Sequence, residues 1–243
     1  MVCAIRKSFP DIYLHWEDFG RDNARRNLNR YREEMCTFND DMQGTGATAL
    51  ACALSGVNAV GQQLKDQRIV FFGAGTAGAG IADQMCRAMV EEGLTYEEAT
   101  SRFYLIDRPG LLVDDMSDLA NFQKPYARSR DEVSQWKLSD PNTISLLDVV
   151  KNAKPSILVG CSTVHGAFNQ EIIEAMAAHT EHPMIFPLSN PTSKSEAEPK
   201  DLIAWTKGKA LIAAGSPFDP VDFNGKSIRI SQCNNAFVFP GLG

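Results

Sequence analysis

The 243 residues are 44% hydrophobic and 22% charged, enough apolar material for one large or two small folded domains and too little charge for a disordered chain. A formal net charge of -6, with Lys and Arg scattered, offers no basic face to nucleic acid or anionic lipid. No stretch reaches membrane-spanning length, residues 1–8 lack the apolar core of a signal sequence, and six dispersed cysteines form no C-x-x-C pair, so reduced thiols and a cytoplasmic location are expected.

In chain order, residues 12–16 have strand character and end in Glu17-Asp18, residues 22–34 are polar and helical, and residues 44–64 place small and apolar residues at helical spacing. From residue 68 the pattern becomes strand (68–72), Gly-rich turn (73–80), helix (81–92) and strand (103–107), a βαβ unit. Further strands are expected at 156–160, 183–187 and 210–214, separated by helices over 145–152, 170–178 and 199–205. The polar, aperiodic residues 114–142 read as a surface excursion. Short apolar strands alternating with helices predict an α/β fold of Rossmann type, a doubly wound parallel sheet.

The first chemical signal is Gly73-Ala74-Gly75-Thr76-Ala77-Gly78, between an apolar strand and a helix. Gly73 permits the tight turn, Gly75 lets the backbone approach a pyrophosphate, and Gly78 allows helix to pack on strand. Asp107 ends the second strand, where a carboxylate accepts hydrogen bonds from an adenine ribose. It lies farther from Gly78 than the roughly 20 residues of the usual fingerprint, the excess being a helical insertion over residues 95–102. A carboxylate repels a 2′-phosphate and favours NAD, while the adjacent Arg108 leaves NADP open. Ser162, after the strand at 156–160, lies where ligands meet the carboxyl edge of an open sheet.

The second signal is two acidic pairs, Glu17-Asp18 and Asp40-Asp41. Taken alone they are either two solvated turns or an oxygen-ligand set for Mg²⁺ or Mn²⁺. The four histidines share no metal-ligand spacing and read as surface or core residues.

Five ordered segments resemble the malic enzymes: Trp16-Glu17-Asp18-Phe19 with Cys36-Thr37-Phe38-Asn39-Asp40-Asp41-Met42-Gln43-Gly44-Thr45; Phe72 to Gly78; Leu188-Ser189-Asn190-Pro191-Thr192; Gly215-Ser216-Pro217-Phe218; and Gln232-Cys233-Asn234-Asn235-Ala236-Phe237-Val238-Phe239-Pro240-Gly241. The resemblance implies that Glu17, Asp18 and Asp41 bind a divalent metal, with Asp40 a supporting carboxylate. It implies that Asn190 and Asn235 bind L-malate, that Asn234 lies near the nicotinamide, and that residues 73–78, Asp107 and Ser162 face NAD. The implied reaction is oxidative decarboxylation of malate to pyruvate and CO₂. The implied organisation is a metal-site segment over residues 1–43, part of a truncated substrate domain, and a C-terminally incomplete dinucleotide-binding domain over residues 44–243.

Members of that family carry a tyrosine general acid and a lysine general base in a further N-terminal region, whose motif neither Tyr13 nor Tyr31 matches. The chain is therefore expected to be an internal fragment, inactive alone, of a protein that forms homo-oligomers. The run Trp-Glu-Asp-Phe-Gly-Arg, ending in Phe19-Gly20-Arg21, resembles instead the malolactic enzymes, which make lactate and CO₂ with bound NAD. Two further alternatives are an amino-acid dehydrogenase, which leaves the paired carboxylates unexplained, and an NAD-binding module without chemistry.

Overall fold

A computed structural model of the chain describes residues 1–17, 19 and 21–242. The N-terminal part holds α1 (Val2–Ser8), β1 (Leu14–Trp16), α2 (Arg21–Tyr31) and β2 (Thr37–Asn39), with β1 and β2 paired in parallel. One turn of π-helix, Asp40–Gly44, leads into α3 (Thr45–Ala59). Then follow β3 (Ile69–Phe72), α4 (Thr76–Glu91), α5 (Tyr96–Thr100), β4 (Phe103–Asp107), β5 (Gly110–Leu111), α6 (Arg130–Val133), α7 (Leu146–Ala153) and β6 (Ile157–Gly160). The remainder is α8 (Gln170–Ala177), β7 (Met184–Pro187), α9 (Pro199–Trp205), β8 (Leu211–Ala214), the hairpin β9 (Val221–Phe223) and β10 (Lys226–Ile228), β11 (Ser231–Gln232) and α10 (Phe239–Leu242).

The main sheet has the order β11-β8-β7-β6-β3-β4-β5, parallel throughout except for β5, which pairs antiparallel with β4. Its strands are continuous apolar runs because both faces are covered. Side chains alternate across the sheet. Ile69 and Phe71 join Ala49, Val57, Ile81 and Met85 of α3 and α4 on one face, and Val70 joins Val149, Ile173, Met176 and Leu202 of α7, α8 and α9 on the other. Each such side chain, withdrawn from water, contributes about 1.5–3 kcal/mol.

Local chemistry fixes the helix ends. Ser145 and Asp148 form a capping box at α7, and Lys154, left-handed at φ 51°, ends it. Asp148 is buried and accepts from Ser139 N and Oγ (2.9 and 2.8 Å) and from Ser145 N and Oγ (3.0 and 2.7 Å). Burial would raise its carboxyl pKa, but these bonds from Ser145 and Ser139 outweigh it and the pKa falls below the ordinary value.

Three sequence expectations need correction. The helix after the Gly-rich turn begins at Thr76, not residue 81, because Gly78 and Gly80 are helical positions packed against neighbours. The sheet gains β5 as an antiparallel edge, two residues too short to carry a periodic signal. Residues 114–142 are more than a surface excursion: Tyr126 and Val133 are 1% exposed, and Tyr126 Oη donates to Asp83 Oδ1 at 2.8 Å. All six cysteines are free. Among the described residues no helix is long and apolar enough to cross a membrane.

Candidate functional site

Since β3, β4, β6, β7, β8 and β11 run parallel, the residues following each of them meet at one edge of the sheet. Those residues include Gly73 to Gly75, Arg108, Cys161 to Thr163, Leu188 to Asn190, Gly215 to Pro217 and Cys233 to Asn235. The sheet's order reverses at β3, with β4 on one side and β6 on the other, so the Gly-rich loop occupies the switch point where open α/β sheets bind ligands.

Close approach explains the glycines. Gly73 has φ 106°, and a Cβ there would lie 2.4 Å from the carbonyl carbon and oxygen of Cys161. A Cβ on Gly78 would lie 2.1 Å from Gly73 O. The amides of Gly73 and Ala74 donate to Ile106 O at 2.9 and 3.1 Å, pinning the loop to β4. Gly75 is the N-cap of α4 and brings no side-chain cap, so the first-turn N–H groups of a 16-residue helix face the edge with a favourable dipole.

Asp107 is held from two sides: Oδ1 accepts from Arg108 N at 2.9 Å, and Oδ2 accepts from Gln123 Nε2 at 3.2 Å. Gln123 Nε2 also donates to Ala74 O at 2.8 Å, tying the carboxylate to the Gly-rich loop. Beside it a cavity of about 910 Å³ is lined by Asp107, Arg108, Pro109, Leu112, Phe122 and Gln123. An open helix N-terminus next to a cavity with an oriented carboxylate fits the pyrophosphate and adenosine of a dinucleotide. Nothing in the sequence marks Gln123, which lies in a segment without periodicity.

On the other side of β3, Thr163 has φ 60°, uncommon for a β-branched residue and costing of order 1–3 kcal/mol. Its amide donates to Ser189 Oγ at 2.9 Å, which holds that conformation. Ser162 is half-buried and its hydroxyl points inward, donating to Glu196 Oε1 at 2.8 Å. Asn190 is exposed and joined to Pro191 by a cis peptide bond.

Glu17 and Asp40 meet where β1 and β2 end. The last paired residues are Trp16 and Asn39, so Glu17 and Asp40 follow one step beyond. Ligand atoms of His15, Glu17 and Asp40 lie within 4.8 Å of one another. His15 Nε2 is 2.8 Å from Glu17 Oε2, and its Nδ1 is 3.2 Å from Tyr13 Oη. Asp40 is 3% exposed, its Oδ1 has no hydrogen-bond partner, and its Oδ2 accepts from Asn235 Nδ2 at 2.6 Å. Burial raises the Asp40 carboxyl above its ordinary value, Glu17 adds to the rise, and Asn235 and His15 oppose it. A buried carboxylate oxygen without a donor, beside a second carboxylate and an imidazole, fits a divalent cation. Asp41 is half-buried in the same turn, and Asp18 lies outside the described residues.

His15 shares no metal-ligand spacing with the other histidines, yet the period of two puts Tyr13, His15 and Glu17 on one face of an extended strand. The turn is fastened to the dinucleotide side, because Gln84 Nε2 of α4 donates to Gln43 O at 3.0 Å. Asn234 turns toward its own loop, with Oδ1 accepting from Ala236 N at 2.9 Å and Nδ2 donating to Gly215 O at 3.2 Å.

Fold and site together define a doubly wound dinucleotide-binding domain with an acid cluster fastened to its cofactor helix. The family model described as "Malic enzyme, NAD binding domain" matches residues 42–243, and the chain belongs to that family. It is 58% identical over 243 residues to NAD-dependent malic enzyme 3 of Bacillus subtilis, covering 100% of this chain and 43% of that protein. It is 51% identical over 242 residues to NAD-dependent malic enzyme of Sodalis glossinidius, again 100% of this chain and 43% of that protein. The crystal structure of Entamoeba histolytica malic enzyme superposes with a TM-score of 0.71 at 24% identity, covering 99% of this chain and 44% of that one. Malic enzyme from Pyrococcus horikoshii gives 0.70 at 24% identity, covering 99% and 49%. The two structures support the fold; the chain spans well under half the length of the two relatives named.

Proposed function

We infer that the intact protein oxidises L-malate with NAD and a divalent cation to pyruvate and CO₂, and that this chain supplies the cofactor and metal parts of the site. The observation that carries this reading is the 2.6 Å bond from Asn235 Nδ2 to Asp40 Oδ2, which joins the acid cluster to the carboxyl edge of the NAD-binding sheet. The names of the relatives, NAD-dependent malic enzymes, favour NAD over NADP and pyruvate over lactate.

In this reading Glu17, Asp18 and Asp41 hold the cation with Asp40 beside them, and His15 orients Glu17 through its 2.8 Å contact. An imidazole nitrogen near the set suits Mn²⁺ better than Mg²⁺. When bound, NAD accepts the hydride from malate and the cation stabilises the negative charge that develops on the substrate. Asn190 and Asn235 would orient the malate carboxylates with neutral amide donors that do not titrate. The N-terminus of α4 would take the pyrophosphate, Asp107 the adenine ribose, and Ser162 and Asn234 the nicotinamide side. Residues 1–43 are then part of the substrate-binding region and residues 44–243 the dinucleotide domain. The general acid and base would come from sequence outside this chain, and the same reading makes the enzyme a cytoplasmic homo-oligomer.

The test is to incubate the full-length enzyme with malate, NAD and Mn²⁺ and to quantify NADH, pyruvate and lactate. Equal amounts of NADH and pyruvate are expected. Lactate without net NADH would establish the malolactic alternative, and NAD binding without any malate turnover would reject both.

A further inference from the structure

Glu196 is 0% exposed, and among the described residues it belongs to no ion pair. Burying a carboxylate without a cation is costly unless donors surround it. Four do: Oε1 accepts from Ser162 N (2.8 Å), Ser162 Oγ (2.8 Å) and Ser189 Oγ (2.6 Å), and Oε2 accepts from Ser189 N (3.3 Å). Each hydroxyl is itself an acceptor, Ser162 Oγ from Val164 N at 3.1 Å and Ser189 Oγ from Thr163 N at 2.9 Å. The single proton of each hydroxyl is therefore directed at the carboxylate, and two chains of bonds, from Val164 N through Ser162 and from Thr163 N through Ser189, converge on it.

The bonds span two loops that follow different strands, residues 161–163 after β6 and residues 188–190 after β7. Backbone bonds fasten the first loop further, with Phe168 N donating to Glu196 O at 2.9 Å and Gly166 N to Ser195 O at 3.2 Å. Gly160 completes the arrangement, since a Cβ there would lie 2.5 Å from Glu196 Cδ. Replacing Glu196 alone by an apolar side chain would leave these four donors unpaired, so the carboxylate that collects them holds the two loops in one relative geometry.

We propose that Glu196 is a positioning residue that locks the loop bearing Ser162 to the loop bearing Asn190, and so sets the nicotinamide against malate. This rests on the malate-oxidising reading above. Glu196 touches neither ligand in this role; it acts through Ser162 and Ser189.

The test uses the full-length enzyme and the variants Glu196→Gln, Ser162→Ala, Ser189→Ala and the double serine variant. Glu196→Gln should lower kcat on the order of 10- to 100-fold, since misplacement by about 1 Å costs that much, and should enlarge the isotope effect with malate deuterated at C2. The serine variants should each lower kcat, and the double variant should lose little more than the worse single one, because both act through one carboxylate. Multiplicative losses in the double variant would overturn the proposal, as would variants that lose only thermal stability while keeping kcat per folded molecule. If Glu196→Gln does not fold, the serine cycle alone decides. If the wild type does not oxidise malate, the functional reading fails, and amide exchange then judges the proposal. Ser189→Ala should accelerate exchange at Val164, three hydrogen bonds away through Glu196 and Ser162, and weaken NAD binding. Unchanged exchange at Val164 would overturn it.

Discussion

Replacing Gly78 with alanine changes one methyl group at the point where α4 meets the Gly-rich loop. The added Cβ would lie 2.1 Å from Gly73 O, while ordinary carbon–oxygen contacts begin about 1 Å farther out. The first turn of α4 must therefore move outward by roughly 1 Å, and overpacking of this kind costs about 1–3 kcal/mol. Retreat of Gly73 is blocked, because that residue already abuts the Cys161 carbonyl and its amide is bonded to Ile106 O. For a domain of this size the cost corresponds to a fall in thermal midpoint of roughly 2–12 °C. The same displacement moves the first-turn N–H groups off the pyrophosphate, and losing the equivalent of one charged hydrogen bond, about 1.5–3 kcal/mol, weakens NAD binding by roughly 10- to 150-fold. Calorimetric titration with NAD alongside thermal unfolding measures both. Wild-type NAD affinity in Gly78→Ala would show that the dinucleotide does not use this turn.

Three further substitutions test separate parts of the structure. Gln123→Ala leaves the buried Ala74 carbonyl without its donor and frees one side of Asp107; NAD affinity should fall by roughly 5- to 30-fold, equivalent to about 1–2 kcal/mol, measured by titration. Asn235→Asp sets a carboxylate against Asp40 Oδ2 at a position now occupied by an amide donor; denaturant unfolding should show a loss of about 1–3 kcal/mol, partly recovered by saturating Mn²⁺. Asp148→Asn should cost about 2–3 kcal/mol at neutral pH. Because the folded-state pKa of Asp148 is depressed, its contribution is complete above the unfolded value near 3.9 and disappears as pH falls through the lower folded value. Unfolding at pH 7 and near pH 2 should therefore show the variant's deficit shrinking in acid.

The strands of the sheet were legible because burial on both faces leaves unbroken apolar runs such as Ile69-Val70-Phe71-Phe72, and the Gly-rich turn because backbone contact excludes side chains at Gly73 and Gly78. Helix 145–152 was legible within one residue at each end, its start marked by the Ser145 and Asp148 capping box. Residues 114–142 were not, since Gln123, Tyr126 and Val133 are buried one at a time without a period, each against a different neighbour. Within the acidic cluster the pairs stood out by charge, but the partnership of Glu17 and Asp40 with His15 depends on parallel pairing of two three-residue strands. Glu196 carried no signal beyond being one acidic residue in a loop, because its meaning lies in two serines from other strands.

The most direct measurement of whether metal and nicotinamide share one site is the broadening of NAD proton resonances by bound Mn²⁺ in the full-length enzyme. If the cluster of His15, Glu17 and Asp40 marks the metal site beside the carboxyl edge of the sheet, the nicotinamide protons broaden far more than the adenine protons, and Glu17→Gln removes the difference. Equal broadening of the two rings, or stronger broadening of the adenine, would place the metal elsewhere and contradict the proposed malate site.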